Sequence, residues 1–368
     1  MGTNLQEILF IALRILAFLI GFAIVVLVLL SAIRSFVLPR SAPDKIGRFT
    51  FLSIRYLFNL RLRRASTYLE KDRIMALFAP ISLVALPAVW LTGILAGYMC
   101  MYWAVQNISL LNIFKISGSS LFTLGYATLD DLPTTILIFS EAAIGLFLIA
   151  LLIAYLPTMY AAFSKREAAV TLLEVRAGSP PSAIQMFKRY HRIHGLDKLG
   201  TLWGSWEAWF ADLEESHTSL GPLVFFRSPQ PHRSWVTAAG AILDAASLAN
   251  STLDIPHDPQ ADLCIRAGFL ALRYICDFFR IKYDPAPKPT DPISIRREEF
   301  EAAYDEMAAA GIPLKPDREQ AWRDYAGWRV NYDTPLLALA GLTMAPLAPW
   351  SSDRAMKLSD LPLPRFIR

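Results

Sequence analysis

The sequence predicts an all-α membrane protein: three spanning helices followed by a long helical domain outside the bilayer. Three observations carry that expectation. Apolar residues make up 54% of the 368 positions and charged residues only 18%, below the roughly 25% usual for a soluble domain. The apolar residues concentrate before Phe163, in three long runs. Beyond Phe163, apolar positions recur at three- and four-residue spacing, and alternating strand patterns are scarce.

The first run, Ile8 to Leu38, is interrupted only by Arg14 and Arg34. It is too long for the apolar core of a cleavable leader and runs into a basic segment, so it reads as a retained helix. The second, Ile74 to Val105, carries Pro80 and Pro87, either of which can kink a helix. The third, Thr134 to Phe163, holds Glu141 as its sole acid. About 20 residues cross the hydrocarbon core, and backbone groups in lipid must bond internally, so each run is expected to be helical.

Lysine and arginine then set the orientation. Nine of them (Arg40, Lys45, Arg48, Arg55, Arg61, Arg63, Arg64, Lys71 and Arg73) lie between Pro39 and Arg73, opposed by Asp44, Glu70 and Asp72. The segment before the first span has Glu7 and no base, and Gln106–Pro133 has only Lys115. The positive-inside rule places the N-terminus outside, the basic stretch inside, Gln106–Pro133 outside and the C-terminal part in the cytoplasm of a multi-pass inner-membrane protein. Within the basic stretch, Phe49, Phe51, Leu52, Ile54, Tyr56, Leu57, Phe58 and Leu60 interleave with arginines. Two readings stand: an amphipathic helix on the inner leaflet drawn to anionic lipid, or a solvated connector whose charges serve topology alone.

The tail is expected to form helices over Pro181–His194, Thr201–Ser216, Ser234–Ala249, Asp258–Ile281, Ile295–Ala310 and Arg318–Val330. Breakers separate them, among them the proline-rich run from Asp284 to Pro292. Trp203, Trp206 and Trp209 recur every three residues and read as core. His191 and His194 sit one turn apart, but Lys188, Arg189 and Arg192 surround them and repel a metal. Cys100, Cys264 and Cys276 are odd in number and widely spaced, so reduced thiols are expected. No GxGxxG follows a strand and no HExxH occurs, so neither a dinucleotide-binding domain nor an enzyme is expected.

Between the second and third spans lies Ser117-Gly-Ser-Ser-Leu-Phe-Thr-Leu-Gly-Tyr-Ala-Thr-Leu-Asp-Asp-Leu-Pro133. Its Thr123-Leu124-Gly125-Tyr126 resembles the Thr-Val-Gly-Tyr-Gly filter of tetrameric potassium-type channels, and Leu110–Phe122 resembles their pore helix. The resemblance implies a re-entrant pore loop between an outer and an inner helix, built from four chains around a permeant potassium ion, with no other cofactor. It also implies that Thr123, Leu124, Gly125, Tyr126 and Ala127 supply rings of carbonyl ligands, with the Tyr126 ring packed behind them against the pore helix. Glu141 and Gly145 match a glutamate and glycine found on the inner helix of many bacterial relatives. They imply filter support from Glu141, and either a hinge or close packing at Gly145.

Two departures bear on selectivity. Ala127 replaces the second filter glycine, where a Cβ at positive φ would cost about 1–2 kcal/mol. Pro133 lies ten residues past Thr123, a longer stretch than in the family pattern. The expected organisation is an N-terminal transmembrane helix (1–38), a basic cytoplasmic linker (39–73), a pore domain (74–163) and a helical cytoplasmic domain (164–368). Within the pore domain the outer helix takes 74–105, the pore helix and filter 109–133, and the inner helix 134–163. A non-selective cation channel and a non-conducting receptor or scaffold on the same fold are the alternatives. A voltage-gated channel is not, since no helix of regularly spaced arginines occurs.

Overall fold

The computed structural model describes residues 2–36 and 44–356. The last two residues of the expected first span, Arg40 and the C-terminal segment lie outside that range. The fold is 76% helix, and no strand occurs among the described residues. Among the described residues, three stretches are long and apolar enough to cross a membrane: Gln6–Ser35, Tyr68–Val105 and Leu132–Ala177. Large apolar side chains stand exposed along them, Leu9 and Phe139 at 72% and 71% among them. A water-facing surface rarely carries such continuous apolar area, so lipid or further protein has to cover it.

The chain divides into two units, Met1–Leu60 with Leu77–Tyr160, and Arg61–Ala76 with Ala161–Arg368. The helices of the first are α1 (Gly2–Phe36), α2 (Lys45–Leu62), α4 (Phe78–Val105), α5 (Leu110–Leu121) and the first part of α6 (Leu132–Ala177). The short α3 (Tyr68–Ala76) belongs to the second unit.

In the first unit α1 lies along α4 at a crossing of small residues. A Cβ on Gly21 would strike the Gly97 carbonyl oxygen, and one on Gly93 would sit 2.8 Å from Val28, the close approach that glycine permits between membrane helices. Trp90 Nε1 donates to Ser31 Oγ at 2.9 Å, which satisfies both polar groups in a buried seam. Trp90, Ile94, Tyr98 and Tyr102 repeat every four residues and turn one face of α4 into the core, joined there by Val25, Val28, Ile113, Ile116 and Leu121. Pro80 falls in the first turn of α4, where no backbone donor is needed; Pro87 lies inside the helix. Helix α4 itself starts at Phe78, within the apolar stretch Tyr68–Val105. The stretch 45–62 is helical, and Phe51 and Phe58 pack edge-on against Phe78 at 4.8 and 5.6 Å.

The second unit holds α7 (Ala183–Arg192), α8 (Leu199–Ser219), α9 (Trp235–Thr252), α10 (Pro259–Phe279), α11 (Arg297–Ala309), α12 (Arg318–Arg329) and α13 (Asp333–Thr343). Helix α9 is its axis: every residue except Asn250 is buried. Six alanines and Gly240 keep that helix thin, and Leu336 of α13 packs 3.0 Å from where a Gly240 Cβ would stand. Asp244 in its middle must be paired, because an isolated buried carboxylate costs far more than a helix can supply. It accepts from Arg329 Nη1 at 2.7 Å and from the Tyr325 and Tyr332 hydroxyls at 3.1 and 2.9 Å. Arg329 also donates to Asp333 Oδ1 and to the Trp350 carbonyl, each at 2.7 Å. Burial works against charge on Arg329, but Asp244 and Asp333 more than offset it and hold its pKa well above the ordinary range.

Trp203, Trp206 and Trp209 are all buried in this unit, as core. Two boundaries differ from expectation. Helix α6 runs on past Pro157 to Ala177, because Lys165, Arg166 and Glu167 are good helix formers and, beyond Pro157, no glycine or proline occurs until Gly178. Residues 61–76, of which 61–73 are expected in the linker and 74–76 at the start of the second span, fold with the second unit: Asp72 accepts from Arg227 Nη1 at 2.5 Å, and the Tyr68 hydroxyl donates to the Pro231 carbonyl at 3.2 Å.

One ion pair there gives a measurable acid dependence. Arg354 donates from both terminal nitrogens to Glu299, at 2.9 and 3.1 Å. Those bonds, against the opposing pull of burial and with help from the Arg296 N–H, hold the Glu299 carboxyl down from 4.5 to about 2. A folded-state pKa below the unfolded one stabilises fully above the unfolded value and is lost as pH falls through the folded one. The contribution should therefore fade between pH about 4.5 and about 2. Arg354→Ala should flatten that part of the curve in thermal midpoints taken across the range. Identical acid limbs in both proteins would rule the pairing out as its cause.

Candidate functional site

Helix α5 starts at Ser109, whose hydroxyl accepts the Asn112 N–H at 3.4 Å. Its other end builds the site. Phe122 ends the helix, Thr123 takes the left-handed region at φ +53°, and the N–H groups of Thr123 and Leu124 return to the carbonyls of Ser120 and Ser119 at 3.0 and 2.8 Å. That is a Schellman closure, whose left-handed position usually goes to glycine. A β-branched residue at that φ costs on the order of 1–3 kcal/mol, and such strain concentrates at functional positions.

Beyond it φ alternates in sign: positive at Thr123 and Gly125 (+69°), negative at Leu124 and Tyr126. The N–H groups of Leu124 and Ala127 both return to the helix end. Ser119 serves both, its carbonyl taking the Leu124 N–H and its hydroxyl taking the Ala127 N–H at 3.2 Å. Among the described residues, no hydrogen bond engages the carbonyls of Thr123, Leu124, Gly125 or Tyr126. Four carbonyls with no hydrogen-bond partner among the described residues thus follow the C-terminus of α5, whose macrodipole favours a cation.

Behind the segment, Glu141 of α6 is fully buried and bonded by two other helices. Ser117 Oγ of α5 donates to Oε1 at 2.6 Å, and the Tyr102 hydroxyl of α4 donates to Oε2 at 2.9 Å. One carboxyl therefore holds α4, α5 and α6 in register. Gly145 sits one turn further along α6, where a Cβ would collide with the Leu121 carbonyl oxygen. Its geometry is that of close packing onto the end of α5.

Two details correct the expectations. Ala127 has negative φ, so the backbone strain anticipated from its Cβ is absent, and Ala127→Gly releases none. The Tyr126 ring is 66% exposed rather than packed on this chain's own α5. Tyr102, which with Tyr98 and Trp103 suits an interfacial belt by sequence alone, is buried on Glu141 instead, while Ser117, Ser119 and Gln106 are of types too common there to mark themselves without the fold.

Fold and site define a helical protein with three helices apolar enough to cross a membrane and a carbonyl-bearing loop between the second and third. Compared with protein-family models, curated proteins and solved structures, the chain matches none of them.

Proposed function

We propose that four copies of this chain form an ion channel in the inner membrane that passes potassium through the ring of Thr123–Tyr126 carbonyls. The observation that carries the reading is the alternating φ of residues 123–126 behind a helix C-terminus. The carbonyls there have no hydrogen-bond partner among the described residues, and backbone carbonyls are the ligand type that replaces a cation's hydration shell. One chain offers one ligand per level, so a ring needs several chains. The exposed Tyr126 and Leu124 side chains, 66% and 64% accessible, fit a neighbour's surface in such a ring.

In this reading the N-terminus is outside and the second unit is a cytoplasmic domain that gates or assembles the pore, with no enzymatic activity. Helix α2 carries Lys45, Arg48, Arg55 and Arg61 and no acid, and exposes Phe49, Tyr56, Leu57 and Leu60, a composition suited to anionic lipid at the inner leaflet. A non-selective cation pore is the second reading, favoured by the position of Pro133 ten residues past Thr123.

Assembly tests the proposal. Native mass measurement in lipid nanodiscs should give a tetramer with fourfold symmetry through Gly125. A monomer or dimer that persists in both nanodisc and mild detergent would instead favour a non-conducting scaffold.

A further inference from the structure

The loop that follows the carbonyls, residues 128–131, has no regular structure, so side chains must set its course. Its lower end is tied by Ser119. Its upper end is tied by Gln106, the residue that caps α4. The Gln106 side-chain amide donates to Asp131 Oδ1 and to Thr134 Oγ1, each at 2.7 Å. Asp131 in turn accepts the Thr134 N–H at 3.1 Å on its other oxygen, which fixes the first turn of α6. Thr134 is fully buried.

Gln106 has a second connection. Its carbonyl lies past the last residue of α4, with no helical partner, and Arg14 Nη2 of α1 donates to it at 3.4 Å. The Arg14 guanidinium also sits 4.6 Å above the Phe10 ring, and Phe10 meets Trp103 of α4 edge-on at 6.4 Å. The Gly21–Gly97 approach and the Trp90–Ser31 bond hold the rest of α1 to α4. A polar path thus runs Arg14, Gln106, Asp131 and Thr134, from the N-terminal helix to the loop after the carbonyls.

We propose that Gln106 is a positioning residue for this loop and that α1 acts on the loop through it, which makes the N-terminal helix a modulating part of the pore rather than an anchor alone. The consequence for ion selection rests on the channel reading above; the mechanical coupling does not. A cation pore selects by the geometry of its ligands. A loop tied at both ends holds that geometry, and loss of the upper tie should relax the carbonyl levels nearest it first.

The test uses the full chain in nanodiscs and reads amide hydrogen exchange over 127–135 together with the potassium-to-sodium flux ratio in liposomes. Gln106→Glu removes both donors and sets a carboxylate against Asp131. Exchange over 127–131 should rise about tenfold, the worth of one charge-assisted hydrogen bond, and the flux ratio should fall with the oligomer intact. Adding Asp131→Asn reverses donor and acceptor and should restore both readouts to within about twofold of wild type, as expected for a coupled pair. Arg14→Ala should give a smaller rise, about threefold, since its bond is longer. Unchanged exchange in Gln106→Glu, or no rescue by Asp131→Asn, overturns the proposal. If wild type passes no ions, the channel reading fails while exchange still decides the coupling. If wild type selects potassium but Gln106→Glu matches it in exchange and ratio, the coupling alone fails.

Discussion

Replacing Gly125 with alanine should abolish potassium flux while leaving assembly intact. Gly125 has φ +69°, and a Cβ there would meet nothing within 4 Å, so the change adds backbone strain without a clash. Left-handed backbone costs a residue with a Cβ about 1–2 kcal/mol. A fourfold ring incurs that four times, about 4–8 kcal/mol, enough to rotate the adjoining peptides out of line. A carbonyl turned away leaves a partly desolvated ion without ligands at that level, and the barrier to conduction rises steeply. Within one chain the Cβ meets no neighbour, so that chain's helices should pack as before. Retained flux in Gly125→Ala would mean that these carbonyls do not line the path.

Asp244→Ala should destabilise the helical second unit by about 3–5 kcal/mol, the usual effect of removing one partner from a buried ion pair. Arg329 is fully buried, and the substitution leaves its charge facing Asp333 alone while the Tyr325 and Tyr332 hydroxyls lose their acceptor. A domain's whole stability is about 5–15 kcal/mol, so the unit should become protease-sensitive at moderate temperature. Adding Arg329→Met should recover much of the loss, since an apolar side chain of similar length removes the unpaired charge. Unaltered protease resistance in Asp244→Ala would show that Arg329 gains other partners or water.

Much of this architecture is legible in the sequence because lipid imposes a blunt rule. Helices must run apolar for some 20 residues, and the runs holding Leu19, Trp90 and Leu148 stand out by length alone. The amphipathic helices of the tail show through their spacing. Helix α13 does not, since Leu336, Leu337, Leu339, Ala340 and Leu342 are buried around its whole circumference and leave no polar face to set a period. The association of 61–76 with the second unit depends on Arg227 meeting Asp72, 155 residues apart in sequence. At the site, Glu141 announces itself as an acid in an apolar run, but its partners do not. The left-handed Thr123 is the least legible feature, because local preference would place glycine there and only the closure of α5 makes it necessary.

Flux from purified protein in liposomes, potassium against sodium at equal gradients, tests the central claim most directly. The carbonyls of Thr123–Tyr126 as inner ligands predict potassium uptake that exceeds sodium uptake and vanishes in Gly125→Ala. Equal passage of both ions would favour the non-selective pore, and no passage of either from a folded tetramer would contradict the account.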